Sequence, residues 1–203
     1  KHKDDGKNLI ELINDSTKEN QAIELINDPN TWLNQVYSQN NNDFPLAAAL
    51  IAKNFKIAIL LVQKGASPNI FSKGILGGEN PFIYSIKESY EEVAIEMVKN
   101  NAHVNQEVEI DNKNQVPCLV LAILNDQPNL VKVMIEYGAS KKEALSFILN
   151  NFEWVKNCFK INNNLQNQIK AIIGDLLNTV DKVTEEIKLY KRKSFYQYLL
   201  DLT

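Results

Sequence analysis

Two landmarks recur along this chain with one shared period, which indicates a repeated structural unit. Pro45, Pro81 and Pro117 are each 36 residues apart. A second mark, which follows these prolines after 20, 20 and 21 residues, is Gly65-Ala66-Ser67, Asn101-Ala102-His103 and Gly138-Ala139-Ser140. A fixed period is typical of stacked repeats, which build long, rigid binding surfaces rather than one catalytic cleft.

One copy of the unit predicts two short helices and a turn. Pro45 suits the first turn of a helix, where its missing N–H is no loss. The apolar segments 46–53 and 57–62 predict the two helices. Gly65 then stands where a helix end favours positive φ, and Ser67-Pro68-Asn69 is turn chemistry.

The other two copies follow the same order. Asn101 and Gly138 are the predicted helix stops, since Asn is the next-best residue after Gly for a left-handed conformation. We expect the one extra residue of the third copy near Asp126-Gln127-Pro128. Pro128 must then lie in the turn or open the second helix, because proline cannot sit in a helix interior.

The pattern resembles the ankyrin repeat, whose period is about 33 residues with a T-P-L-H-x-A signature. The resemblance is carried by Phe44-Pro45-Leu46, Asn80-Pro81-Phe82, Val116-Pro117-Cys118 and the marks ending at Asn69 and Asn105. It implies an all-α ankyrin-repeat solenoid of helix-turn-helix units with short loops, to which the spacing of apolar residues near the C-terminus adds a predicted helical extension.

This sequence departs from the family pattern at three places. The family's threonine is replaced by Phe44, Asn80 and Val116, and its histidine by Ala47, Ile83 and Leu119. We therefore expect the hydrogen bonds of both residues to be absent and cohesion between repeats to be more apolar than usual. Lys53 and Ser89 replace the glycine that joins the two helices.

We predict three regions. Residues 1–38 form a degenerate N-terminal capping repeat with helices over 9–13 and 22–26, because terminal repeats need a polar outer face. Residues 39–141 form three ankyrin-like repeats. Residues 142–203 form a degenerate last repeat, with helices over 143–149 and 152–161, and C-terminal helices.

Apolar residues between positions 169 and 190 recur at heptad spacing, which predicts a long helix. Three alternatives remain: it caps the last repeat, it self-associates as a coiled coil, or it contacts a partner or another domain. The basic and aromatic segment 188–196 is either a solvated helix end or a contact for acidic lipid or RNA.

Composition excludes several classes of protein. A net charge of −3 and a pI of about 5.5 argue against a nucleic-acid binder driven by bulk electrostatics. Two cysteines cannot form a disulfide framework, which fits a reducing compartment. No apolar run approaches the roughly 18 residues needed to span a bilayer. We expect a cytoplasmic protein, in the host cytoplasm if it is a translocated effector.

No catalytic constellation is recognisable. His2 and His103 lack neighbouring ligands at metal-binding spacing. Cys118 and Cys158 lack an evident base and are expected to be packed. We therefore predict a non-enzyme without cofactor or metal.

The ankyrin resemblance implies that a protein partner is bound on the concave face and by loop tips. The contact positions it implies are Asn40, Asn41, Asp43, Leu76, Gly77, Glu79, Lys87, Glu88, Asn112, Lys113, Gln115, Ile123 and Leu124. The predicted function is non-catalytic protein–protein interaction. The alternative is a targeting or substrate-docking segment of a larger enzyme or translocated bacterial effector.

Overall fold

The computed structural model describes residues 5–37, 44–72, 74–111, 114–151 and 154–155, in which nine α-helices and one two-stranded sheet form. The helices are α1 Asp5–Ile13, α2 Glu19–Asn27, α3 Pro45–Ile51, α4 Phe55–Gln63, α5 Pro81–Lys87, α6 Glu91–Lys99, α7 Cys118–Leu124, α8 Pro128–Glu136 and α9 Lys141–Asn150. The strands are β1 Glu107–Asp111 and β2 Asn114–Pro117. The mainly helical prediction is confirmed.

The helices pack as successive pairs. α1 packs on α2, α3 on α4, α5 on α6, and α7 on α8. The first helices α1, α3, α5, α7 and α9 contact one another in order, and so do the second helices α2, α4, α6 and α8. The buried apolar side chains of both rows form one cluster, so each pair buries its apolar faces against its neighbours.

The three middle pairs share one internal plan. Each has a first helix of seven residues and a second helix of nine. Two positions after each helix stands a residue with positive φ. In the turns between helices these residues are Lys53, Ser89 and Asp126, and after the second helices they are Gly65, Asn101 and Gly138. The three predicted helix stops are confirmed.

The extra residue of the third copy lies before its first helix, so its predicted place near Asp126 is wrong. Pro117 ends β2, and the backbone N–H of Cys118 donates to the Gln106 carbonyl at 3.0 Å. α7 therefore begins one residue after its proline, whereas α3 and α5 begin at theirs. Pro128 opens α8, which is one of its two predicted placements.

The sheet was not predicted. β1 and β2 are antiparallel, and the buried Val108 and Val116 lie opposite each other in the register. The sequence signal for β1 is the alternation of Val108 and Ile110 with acidic residues, which is only five residues long.

Asn80 supplies hydrogen bonds that we expected to be missing at the threonine position. Its side-chain oxygen accepts from the backbone N–H of Ile83 at 2.9 Å, which caps α5. Its side-chain nitrogen donates to the Gln106 side chain at 2.7 Å. Asparagine can replace threonine here because it offers both an acceptor and a donor.

A ladder of three asparagines links successive units. The side-chain nitrogens of Asn34, Asn69 and Asn105 donate to the carbonyls of Gly65, Asn101 and Gly138 at 2.9, 2.9 and 3.0 Å. Their side-chain oxygens accept from the backbone N–H groups of Ser67, His103 and Ser140 at 2.6, 3.0 and 2.8 Å. Polar bonds therefore join the units in addition to apolar packing.

α7 is the most completely buried helix of the three middle pairs. All seven of its residues are buried, and it contacts α5, α8, α9 and β2. Its sequence, Cys-Leu-Val-Leu-Ala-Ile-Leu, is apolar throughout, which is typical of a helix enclosed on all sides.

A polar turn joins α1 to α2. The carboxylate of Asp15 accepts from the Thr17 hydroxyl at 2.6 Å and pairs with Lys18 at 3.0 Å. These hydrogen bonds, with Thr17 first and Lys18 second, lower the pKa of Asp15 to about 2.

Candidate partner-binding surface

Three of the predicted contact residues lie together at the start and end of α5. The side-chain nitrogen of Lys87 donates to the Glu79 carboxylate, and both side chains are partly buried. Glu88 follows as the exposed C-cap residue of α5. Glu79 precedes the N-cap residue of α5, so the ion pair joins the loop before this helix to its last residue, and the Glu88 carboxylate follows at the C-cap.

Gly77 lies at the tip of a loop that precedes α5. The backbone N–H of Ser72 donates to the Glu79 carbonyl at 3.0 Å, and that of Gly78 donates to the Ser72 carbonyl at 2.9 Å. Gly77 and Gly78 have φ of 65° and 88°, which favours glycine in this turn. Gly77 is exposed, as expected for a loop tip.

Gln115 is exposed on β2 of the hairpin, directly opposite Glu109 in the register. The charged side chains Glu107 and Glu109 are exposed on β1. The hairpin therefore presents a polar surface beside the first helices.

Leu76, Ile123 and Leu124 are buried, with 2 %, 0 % and 7 % exposure, so their expected place on the surface is wrong. Leu76 lies in the core cluster beneath the loop. The error at Ile123 follows from the shift of one residue before α7: with helix starts aligned, Ile123 corresponds to the buried Ile86 rather than to Lys87. Leu124 then corresponds to the partly exposed Lys87, so the shift does not account for its burial.

Five predicted contact positions lie outside the described residues, namely Asn40, Asn41, Asp43, Asn112 and Lys113. The predicted heptad helix over 169–190, the basic segment 188–196, His2 and Cys158 also lie outside them.

Several exposed apolar side chains were not among the predicted contacts. Trp32, Val36, Ile51, Phe55, Phe71 and Ile110 are between 37 % and 65 % exposed. Val36 and Phe71 each stand two residues after a ladder asparagine. Because Val36 and Phe71 have the same spacing from Asn34 and Asn69, the sequence already indicated that they occupy equivalent loop positions in two units.

Three aromatic rings form a row beside the Lys87–Glu79 pair. Phe55 and Tyr90 have ring centroids 4.7 Å apart and tilted by 55°. Tyr90 and Tyr84 have centroids 6.2 Å apart in an edge-to-face arrangement. Burial, then the charge of Glu88, raises the pKa of the Tyr84 hydroxyl. We call Phe55, Tyr90 and Tyr84 the aromatic row.

Reactive groups are few in the part of the chain that the structure describes. No cluster there of three or more His, Cys, Asp or Glu could hold a metal ion. Cys118 is buried as predicted, its thiol lies 2.9 Å from the Val104 carbonyl, and burial raises its pKa to about 12. This thiol is therefore protonated and a poor nucleophile at neutral pH.

No helix within the described ranges is both long and apolar enough to cross a membrane. No protein-family model matches this chain, and a search of curated proteins found no match.

Proposed function

We propose that this chain is an ankyrin-type repeat stack that binds a protein partner and catalyses no reaction. The contacts come from the loop before α5, the hairpin, and the exposed ends of the first helices. The observation that carries the proposal is the shared plan of the three middle pairs, with seven- and nine-residue helices and positive φ at the same two places.

Regular stacking supports a binding role because it fixes side chains of different units on one rigid surface. Gly77, Glu88, Gln115 and Glu109 are exposed in two successive units. Exposed apolar side chains such as Phe71 stand beside these polar positions and would supply the anchors that protein interfaces use.

Swapping the two charges of one ion pair tests the proposal with little effect on folding. The double variant Glu79→Lys/Lys87→Glu keeps a pair and the net charge but reverses the charge pattern beside α5. The matched control is Glu19→Lys/Lys56→Glu, which reverses a similar pair, 2.5 Å long, between the second helices α2 and α4.

We expect the free energy of unfolding of both variants to lie within about 1 kcal/mol of that of the original chain, because each variant keeps an ion pair at the same place and ion pairs that water can reach contribute little. Partner proteins captured from a lysate and identified by mass spectrometry should be lost with the first variant and kept with the control. Equal capture by all three chains, or equal loss from both variants, would reject this binding surface.

A further inference from the structure

The aromatic row crosses from one helix pair to the next. Phe55 is the first residue of α4, Tyr90 is the residue before α6, and Tyr84 lies in α5. The ring contacts between them therefore join the unit of α3 and α4 to the unit of α5 and α6.

The row is open to solvent along part of its length. Phe55 is 38 % exposed, and Tyr84 and Tyr90 are partly exposed. Ile51, four residues before Phe55, is 43 % exposed. Large apolar side chains that are exposed in neighbouring positions mark an interaction site more than single ones do.

The charge next to the row is negative at the Tyr84 end. The charge of Glu79 is compensated by Lys87, with which it pairs. Glu88 is exposed and forms no ion pair among the residues that the structure describes. Glu88 is the C-cap residue of α5, four residues after Tyr84, and its charge raises the pKa of the Tyr84 hydroxyl in addition to burial.

The geometry points to one kind of occupant: we propose that the aromatic row, with Glu88, receives an arginine or lysine side chain of the protein partner. The charged head lies over the Tyr84 ring near the Glu88 carboxylate, and the apolar stem lies along Phe55. Cations are attracted to tyrosine faces, and arginine also stacks its planar head on aromatic rings. This inference rests on the proposed binding function and adds the chemistry of the partner.

Lys53 provides a test of the sign of the charge on the ligand. It is exposed in the turn between α3 and α4, two residues before Phe55. A cationic ligand is repelled by it and an anionic ligand is attracted. Lys53→Asn should therefore strengthen binding of a cationic peptide, and asparagine tolerates the positive φ of this position.

The experiment is a selection of random dodecapeptides displayed on phage against the full chain, followed by affinity measurement of the selected peptides. We expect enrichment of arginine or lysine next to apolar residues. Tyr84→Leu should weaken binding by about two- to thirty-fold, the range that cation–π contacts span. Glu88→Gln removes an exposed charge pair and should weaken binding by up to about five-fold. The matched controls Tyr137→Leu and Glu136→Gln, at the end of α8, should leave affinity unchanged.

Three results would overturn the inference. The first is that the selected peptides lack arginine and lysine, as proline-rich peptides without a cation would. The second is that Tyr84→Leu and Glu88→Gln leave the affinity of the selected peptides unchanged, and the third is that no peptide is enriched. Weaker binding in Lys53→Asn would also contradict a cationic ligand. None of these bears on the charge-swap capture experiment, so the binding function can survive when this subsite fails.

Discussion

Replacing Asn69 with alanine would test whether the asparagine ladder stabilises the stack. The side chain donates to the Asn101 carbonyl at 2.9 Å and accepts from the His103 N–H at 3.0 Å. A hydrogen bond contributes about 0.5–1.5 kcal/mol net, so the loss of two should cost about 1–3 kcal/mol. Both bonds are in exposed surroundings, where water can satisfy the freed groups, so no further cost of an unsatisfied buried group is added. We therefore expect the free energy of unfolding to fall by about 2 kcal/mol, the middle of this range.

Urea unfolding followed by circular dichroism measures this loss. With a slope of about 2 kcal/mol per M, a destabilisation of about 2 kcal/mol lowers the midpoint by about 1 M. The control is Asn20→Ala, an exposed position in α2 whose side chain makes no hydrogen bond to the described residues. Alanine has the higher helix propensity, so this variant should be unchanged or slightly more stable.

Coincident midpoints for the two variants would refute the ladder's role. The argument also requires Asn34→Ala and Asn105→Ala to cost similar amounts, because each residue makes the same two bonds. A large effect at Asn69 alone would point instead to something particular to that loop.

Three further outcomes follow from the backbone and the titrating groups. Ser89→Gly should raise the melting temperature by about 2–4 °C, because glycine relieves about 1 kcal/mol of strain at φ 59°. Gly65→Ala should lower the melting temperature, because φ is 97° there. No atom lies within 4 Å of the added Cβ, so backbone strain is the expected cost. Equal shifts of the melting temperature in the same direction for Ser89→Gly and Gly65→Ala would contradict this reasoning. Asp15 has a folded pKa lowered to about 2, so its stabilisation is present above its unfolded pKa and is lost as the pH falls through about 2. The difference in melting temperature between the original chain and Asp15→Asn should therefore be constant above about pH 5 and shrink below about pH 4. A difference that stays constant down to about pH 2 would argue against the lowered pKa of Asp15. In a Cys158→Ser variant, the buried Cys118 should react with a thiol reagent at pH 8 only after denaturant is added, and rapid reaction in the native state would show that it is accessible.

The paired helices could be predicted from sequence because proline, apolar segments and glycine each act locally. Pro45 and Pro81 begin helices, and Gly65 ends one, through their own backbone preferences. Such preferences do not depend on distant residues, so one sequence was enough to place the ends of α3 and α4 within two residues, whereas α1 and α2 begin four and three residues before their predicted starts.

The surface was harder to predict because it depends on register. Pro117 has the same spacing as the other prolines but belongs to a strand, and this moved Ile123 into the core. The spacing of a landmark does not reveal whether the landmark starts a helix or ends a strand. The hairpin decided that question, and its signal was only a few alternating residues long.

The aromatic row and the ladder were missed for a different reason. Tyr84 and Phe55 are 29 positions apart, and Asn34 bonds to the unit after its own. Contacts between units require knowledge of how units stack, which spacing alone does not supply.

Since all seven residues of α7 are buried, this helix offers no side chain to a partner, and the exposed residues that the structure describes just before it belong to the hairpin. Under the proposed function, a substitution within α7 should therefore alter binding only through the stability of the stack, whereas a substitution at Gln115 or Glu109 should alter it directly.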